Sequence, residues 1–181
     1  MLELVLCSPS HAQQRSENPG APGVLRQWPQ AGVWMTMLIR LVDTRDLGCT
    51  VFTGYRNQST GEQYTWGIRR RNSDTAVEII DRNSVAVAGP SISVTVDGSQ
   101  IGTYPVTRRL ERGGYNTVVA ELSARDAGIL IPLLRVGGAI KFTTDAATYS
   151  ASLDGARQAM ANFDACVVEA AQINAAHQQP Q

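Results

Sequence analysis

The sequence predicts a mainly β (α+β) fold, an antiparallel β-sandwich or barrel-like sheet with a short helix and a C-terminal helix packed on it. Three observations predict it. Runs of β-branched and aromatic residues recur at strand length between Trp34 and Leu153, and Ser91-Ile92-Ser93-Val94-Thr95-Val96 alternates with period two. Asp97-Gly98 follows that run directly, a hairpin signal because both turn positions must tolerate positive φ. Near the end, Ala156, Ala159, Met160, Phe163, Val167 and Ala170 form an apolar stripe at helical spacing.

Taken in order, strands are expected at Trp34–Val42, Cys49–Tyr55, Tyr64–Arg70 and Ala76–Asp81, with turns at Asp46-Leu47-Gly48 and Ser59-Thr60-Gly61. The Ser91–Val96 strand returns through Asp97-Gly98 as Ile101–Val106, and Asn116–Leu122 supplies another. Ser123-Ala124-Arg125-Asp126 then reads as a capped helix start that buries Ala127, Leu130, Ile131 and Leu134. Pro132 is expected to end or kink this helix after about two turns, because its ring removes a hydrogen bond and crowds the preceding turn. Gly137-Gly138 closes the segment, Ile140–Thr144 and Thr148–Leu153 form a last strand pair, and Asp154 caps the C-terminal helix.

The ends read differently. Leu2, Leu4, Val5 and Leu6 make a short apolar run before Ser10 and Ala12, small residues that suit a signal peptidase, so residues 1–12 are expected to be the end of an export signal cleaved after Ala12. A start assigned too far downstream accounts for the missing basic region. Cys7 has the alternative reading of a lipoprotein cysteine, against which bulky Leu6 and the short apolar run argue. Residues 13–32, rich in Gly, Pro and polar side chains, are expected to be a flexible leader, 33–173 a single β-rich domain, and 174–181 a disordered tail. The expected location is therefore periplasmic or secreted.

Composition narrows the partners. The 16 basic and 16 acidic residues of the 181-residue chain cancel, which gives no reason to invoke nucleic acid or an anionic membrane. No further stretch is apolar for the roughly 18 residues that a membrane span requires. Lys141 is the only lysine.

After Ala12 the chain keeps two cysteines, Cys49 and Cys166, which in an exported domain are most simply a disulfide. A metal site is the rival reading, and it lacks ligands: His11 leaves with the signal and His177 lies in the tail. The same lack of a core histidine removes Ser-His-Asp and Cys-His catalysis, so no catalytic residue and no cofactor are expected. Carboxylates remain: Asp43/Asp46, Glu78/Asp81 and Asp126 are the candidates for a glycosidase-type pair, although turn and helix-start capping explains most of them. Gly113-Gly114 and Gly137-Gly138 lack the strand–loop–helix context of a phosphate loop. Asn57-Gln58-Ser59 fits a glycosylation acceptor.

The arginines are the charge clusters: Arg69, Arg70 and Arg71, then Arg108, Arg109 and Arg112. They read either as charged strand edges that oppose aggregation, or as a patch that docks an anionic partner. On both readings the structural duty of Arg69, Arg71, Arg108 and Arg109 is expected to be slight. Trp34, Trp66, Tyr55 and Tyr64 read as core or cross-strand packing rather than a ligand platform.

From Ser91 onward the signals come in a recognisable order: Val96-Asp97-Gly98, Ile101-Gly102, a strand ending Ala120-Glu121-Leu122, a short helix, Gly137-Gly138 before Ile140-Lys141-Phe142, and Ser152-Leu153-Asp154-Gly155-Ala156 opening a helix. Over residues 91–163 this resembles the invasion-associated locus B family of exported alphaproteobacterial proteins. The chain departs from the family in having Leu110, Gly113 and Gly114 where cysteines are usual, and in adding Cys166. The resemblance implies a non-enzymatic periplasmic or surface-associated binding or accessory protein, acting in envelope integrity or host interaction, with an unknown protein or envelope component as partner. The alternative is a carboxylate-dependent hydrolase of envelope glycan.

Overall fold

The computed structural model describes residues 23–40, 46–57, 63–81, 89–112, 115–145 and 148–178. The signal through Ala12 with Cys7 and His11, the leader up to residue 22, Asp43, the Asn57-Gln58-Ser59 acceptor, the Ser59-Thr60-Gly61 turn, Gly113-Gly114 and the last residues of the tail lie wholly or partly outside them.

Eleven antiparallel strands and two helices are present among the described residues. The strands are β1 (Gly23–Gln27), β2 (Trp34–Arg40), β3 (Leu47–Asn57), β4 (Gln63–Arg71), β5 (Asp74–Asp81), β6 (Ser91–Val96), β7 (Ser99–Pro105), β8 (Arg108–Arg112), β9 (Tyr115–Leu122), β10 (Ala139–Thr143) and β11 (Thr148–Ser152). Helix α1 (Ala124–Val136) lies between β9 and β10, and α2 (Ala156–Gln178) follows β11.

One path of ladders runs β7-β6-β10-β11-β3-β4-β5-β9-β8, with β2 also on β3 and β1 on β2. The long strand β3 makes the corner. Its first part, Leu47–Thr53, pairs with β2, while Arg56 and Asn57 pair with β11. The sheet therefore splits along one side of β3 and its two wings close on each other, as in sandwiches whose corners are strands shared between sheets. Aromatic side chains meet across the gap: Trp66 of β4 and Phe142 of β10 have ring centroids 4.5 Å apart, and Tyr64 meets Tyr149 edge-on at 5.1 Å. Among the described residues no ladder joins β7 to β8, so the barrel is not closed.

Period-two alternation decides which side chains enter this gap. In β2, Trp34, Thr36 and Leu38 are buried; in β4, Tyr64, Trp66 and Ile68; in β6, Ile92, Val94 and Val96. The Asp97-Gly98 turn has φ of 49° and 80°, and the Asp97 carboxylate accepts hydrogen bonds from the Gly138 and Ala139 backbone N–H groups, fixing the exit of α1 against the hairpin.

Helix α2 covers the β2–β3 side with Ala156, Ala159, Met160, Phe163 and Cys166, all at most 1% exposed. The Thr36 hydroxyl donates to the Ala159 carbonyl at 3.1 Å, satisfying a polar group inside that contact. The helix starts two residues after Asp154, with Gly155 at the cap position, its carbonyl accepting from Ala159 N–H. A side chain there would run into the Ala31 carbonyl, and φ is +82°, so glycine is required on both counts.

Four expectations are corrected. The leader becomes structure at Gly23: β1 pairs with β2, and Trp28 is 8% exposed, under the Arg26 guanidinium at 4.6 Å. Long-range pairing, which local composition does not register, orders it. Helix α1 continues through Pro132, since both Pro132 and Gly128, whose carbonyl loses its donor, lie on the exposed side where water can replace the bond. The domain does not end at 173: α2 runs to Gln178 and Asn174 is buried at 7%. A strand missing from the expected order is present: Arg108–Arg112, read as a docking patch or as charged strand edges, is the edge strand β8.

Candidate functional site

Alternation along β4 splits the first arginine cluster. Arg69 and Arg71 stand on the outer face, and Arg70 continues the inward row of Tyr64, Trp66 and Ile68. On the outer face Arg69 Nη1 lies 2.9 Å from Glu78 Oε1, the two side chains being 16% and 13% exposed. Burial pushes the Glu78 carboxyl above its ordinary range, and the charges of Arg69 and Arg108 pull the other way. Arg71 pairs with Asp46 at 3.2 Å, and Arg108 with Glu121 at 3.3 Å, the latter well exposed. Arg109 donates to the Gly89 carbonyl. Arg112 is placed by its backbone opposite Tyr115. Slight structural duty thus describes Arg108, and it is corrected for Arg69, which neutralises a shielded carboxylate.

Arg70 differs. It lies opposite Cys49 in the β3–β4 register, and its Nε is shielded from solvent with no hydrogen-bond acceptor. It lines a small cleft of about 30 Å³ between the start of β3 and the later turns of α2, together with Leu47, Asn72, Val167, Ala170 and Asn174. Arg40 of β2 sits directly opposite Leu47 and extends the buried row of Trp34, Thr36 and Leu38; its Nε and Nη1 are likewise shielded and without an acceptor. Sequence reasoning passed over Arg40. The signal was there: it is a charge at the end of an inward-facing period-two row, as Arg70 is.

Cys49 and Cys166 are joined, with Cα atoms 5.9 Å apart at a sequence separation of 117, and both are fully buried. The bond ties β3 to α2 just above the cleft.

Three of the candidate carboxylates have partners: Asp46 pairs with Arg71, Glu78 pairs with Arg69, and Asp126 accepts at 2.6 Å from the hydroxyl of Ser123, which caps α1 by accepting from Asp126 N–H at 3.1 Å. Trp34 and Trp66 have no exposed surface and meet edge-on at 5.5 Å, so neither lines a groove. Among the described residues no group of three or more His, Cys, Asp or Glu is placed to hold a metal, and no helix is long and apolar enough to cross a membrane.

No protein-family model and no curated protein match the chain. Among solved structures it is similar to invasion associated protein B from Bartonella henselae, with a TM-score of 0.52 and 11% identity, over 80% of this chain and 98% of that one. At this identity the likeness concerns the fold.

Proposed function

We propose that the chain is an exported protein of the periplasm or cell surface that works by binding an envelope or partner component, in envelope integrity or host interaction, and not by catalysis. One observation carries the reading: the core is built around the Cys49–Cys166 bond, and both residues are fully buried. Structural disulfides of this kind form and persist in oxidising compartments. The shared fold with a protein named for invasion is consistent with such a role.

The alternative, hydrolysis of envelope glycan, calls for two uncommitted carboxylates in a groove with aromatic walls. Asp46 and Glu78 are ion-paired, and the tryptophans that would provide such walls are enclosed.

The test is fractionation of cells expressing the chain from its native gene, with thiol alkylation before lysis. The proposal expects the protein in the periplasmic or secreted fraction without a free thiol. A cytoplasmic pool with both thiols alkylated sinks it.

A further inference from the structure

A guanidinium is always charged, and its N–H groups lose stability when they are shielded from water without an acceptor. Nε and Nη1 of Arg40 and Nε of Arg70 are in that state, on the same face of the β2–β3–β4 ladder. Arg40 lies opposite Leu47, and Arg70 lies opposite Cys49, the next inward residue of the same strand. Their backbones are two strand spacings apart across β3 and offset by two residues along it, about 12 Å, a span that two arginine side chains and one anionic group fill.

Polar neighbours among the described residues are engaged elsewhere. The Asn174 side chain is committed to the Leu47 backbone, with its Nδ2 also donating to Asn72, and Asp46 is committed to Arg71. The corner thus carries two guanidinium groups with shielded N–H groups that lack an acceptor, beside a cleft lined by Arg70.

We propose that Arg70, with Arg40 diagonally across β3 from it, binds a small oxyanion, a carboxylate or phosphate group, at the mouth of the β3–α2 cleft. The planar fork of arginine matches both groups, with two parallel hydrogen bonds to each. This site stands on geometry alone and does not depend on where the protein resides.

Titration calorimetry with inorganic phosphate and, separately, with succinate tests it, on wild type, Arg70→Gln and Arg40→Gln, in low-salt Tris at ionic strength matched with sodium chloride. Saturable one-to-one binding of either probe is expected for the wild type, with affinity lowered tenfold or more in each variant that keeps the native circular dichroism spectrum. Heat from phosphate alone assigns the phosphate class, and heat from succinate alone the carboxylate class. Thermal unfolding gives a second reading: phosphate or succinate raises the wild-type midpoint and leaves that of Arg70→Gln unmoved. Absence of saturable binding of both probes overturns the proposal, as does a loss under tenfold in folded Arg70→Gln. Should Arg70→Gln fail to fold, Arg40→Gln decides by the same criterion.

Discussion

Asn174 and Leu47 exchange two hydrogen bonds: the Leu47 N–H donates to Asn174 Oδ1 at 2.9 Å, and Asn174 Nδ2 donates to the Leu47 carbonyl at 3.1 Å. A side-chain amide here does what a neighbouring strand would do, closing the ladder of β3 at its first residue from a helix 127 residues away. Because Leu47 is 1% exposed, water cannot take over. Replacing Asn174 by Ala strands a buried donor and a buried acceptor, and is expected to destabilise by about 2 to 4 kcal/mol. Urea unfolding checks this; a loss below about half a kcal/mol, the scale of an ordinary surface change, would contradict it.

Opening the covalent link should be costly whichever cysteine is changed. The chain-entropy treatment gives about 4 to 5 kcal/mol for a loop of this length. Cys49→Ser, Cys166→Ser and the double variant are expected to lose similar amounts, since each opens the same loop. Additive losses in the double variant would show that the sulfurs act separately.

Phe163, 1% exposed under the β2–β3 wing, should act through packing alone. Phe163→Ala is expected to cost about 3 to 5 kcal/mol. A circular dichroism melt within a degree or so of wild type would be incompatible with that burial.

Arginines of one cluster should respond unequally. Arg69→Ser leaves the shielded Glu78 carboxylate without its partner, at a cost of about 1 to 3 kcal/mol. Arg108→Ser removes an exposed pair, worth about 0 to 1 kcal/mol. Equal losses in the two variants would refute the division drawn between them.

Glu78 should give a pH dependence of known sign. Its carboxyl titrates above the ordinary 4.5 when folded. The native state therefore holds this proton more tightly than the unfolded chain, and stability from this residue is fully present below the ordinary value and lost as pH rises through the raised one. Glu78→Gln cannot titrate, so its stability relative to wild type should increase from pH 4 to pH 7. Denaturant unfolding at several pH values would reveal a flat difference if burial did not govern this group.

The strands whose side chains alternate were legible in the sequence, because one face of each meets the interior: β2, β4 and β6 are examples. The hairpin at Asp97-Gly98 was legible for the same local reason, a backbone that few residue pairs adopt. What escaped depends on distant partners. β8 carries Arg-Arg-Leu-Glu-Arg, with Leu110 46% exposed, and has no buried face to impose a pattern. β1 exists through β2 and through Arg26, which reaches Glu169 of α2 at 2.7 Å. Asn174 looked like the polar start of a tail because its role is met only by a backbone on another element. Arg40 was passed over since it stood outside the runs of adjacent charges, although its register places it on the same inward face as Arg70, unlike Arg69 or Arg71.

The link between Cys49 and Cys166 also sets the mechanics of the molecule. It makes a covalent ring that encloses most of β3, all of β4 to β11, α1 and the first half of α2, leaving β1 and β2 on the N-terminal strand outside. A force applied at the two ends bypasses that ring through the sulfurs. β1 and β2 can be peeled away, yet the segment between the cysteines, a sequence separation of 117 and about 400 Å of extended chain, stays out of reach. Under oxidising conditions a single-molecule pull should therefore release only the short outer lengths, and added reductant should release the remainder as one further extension.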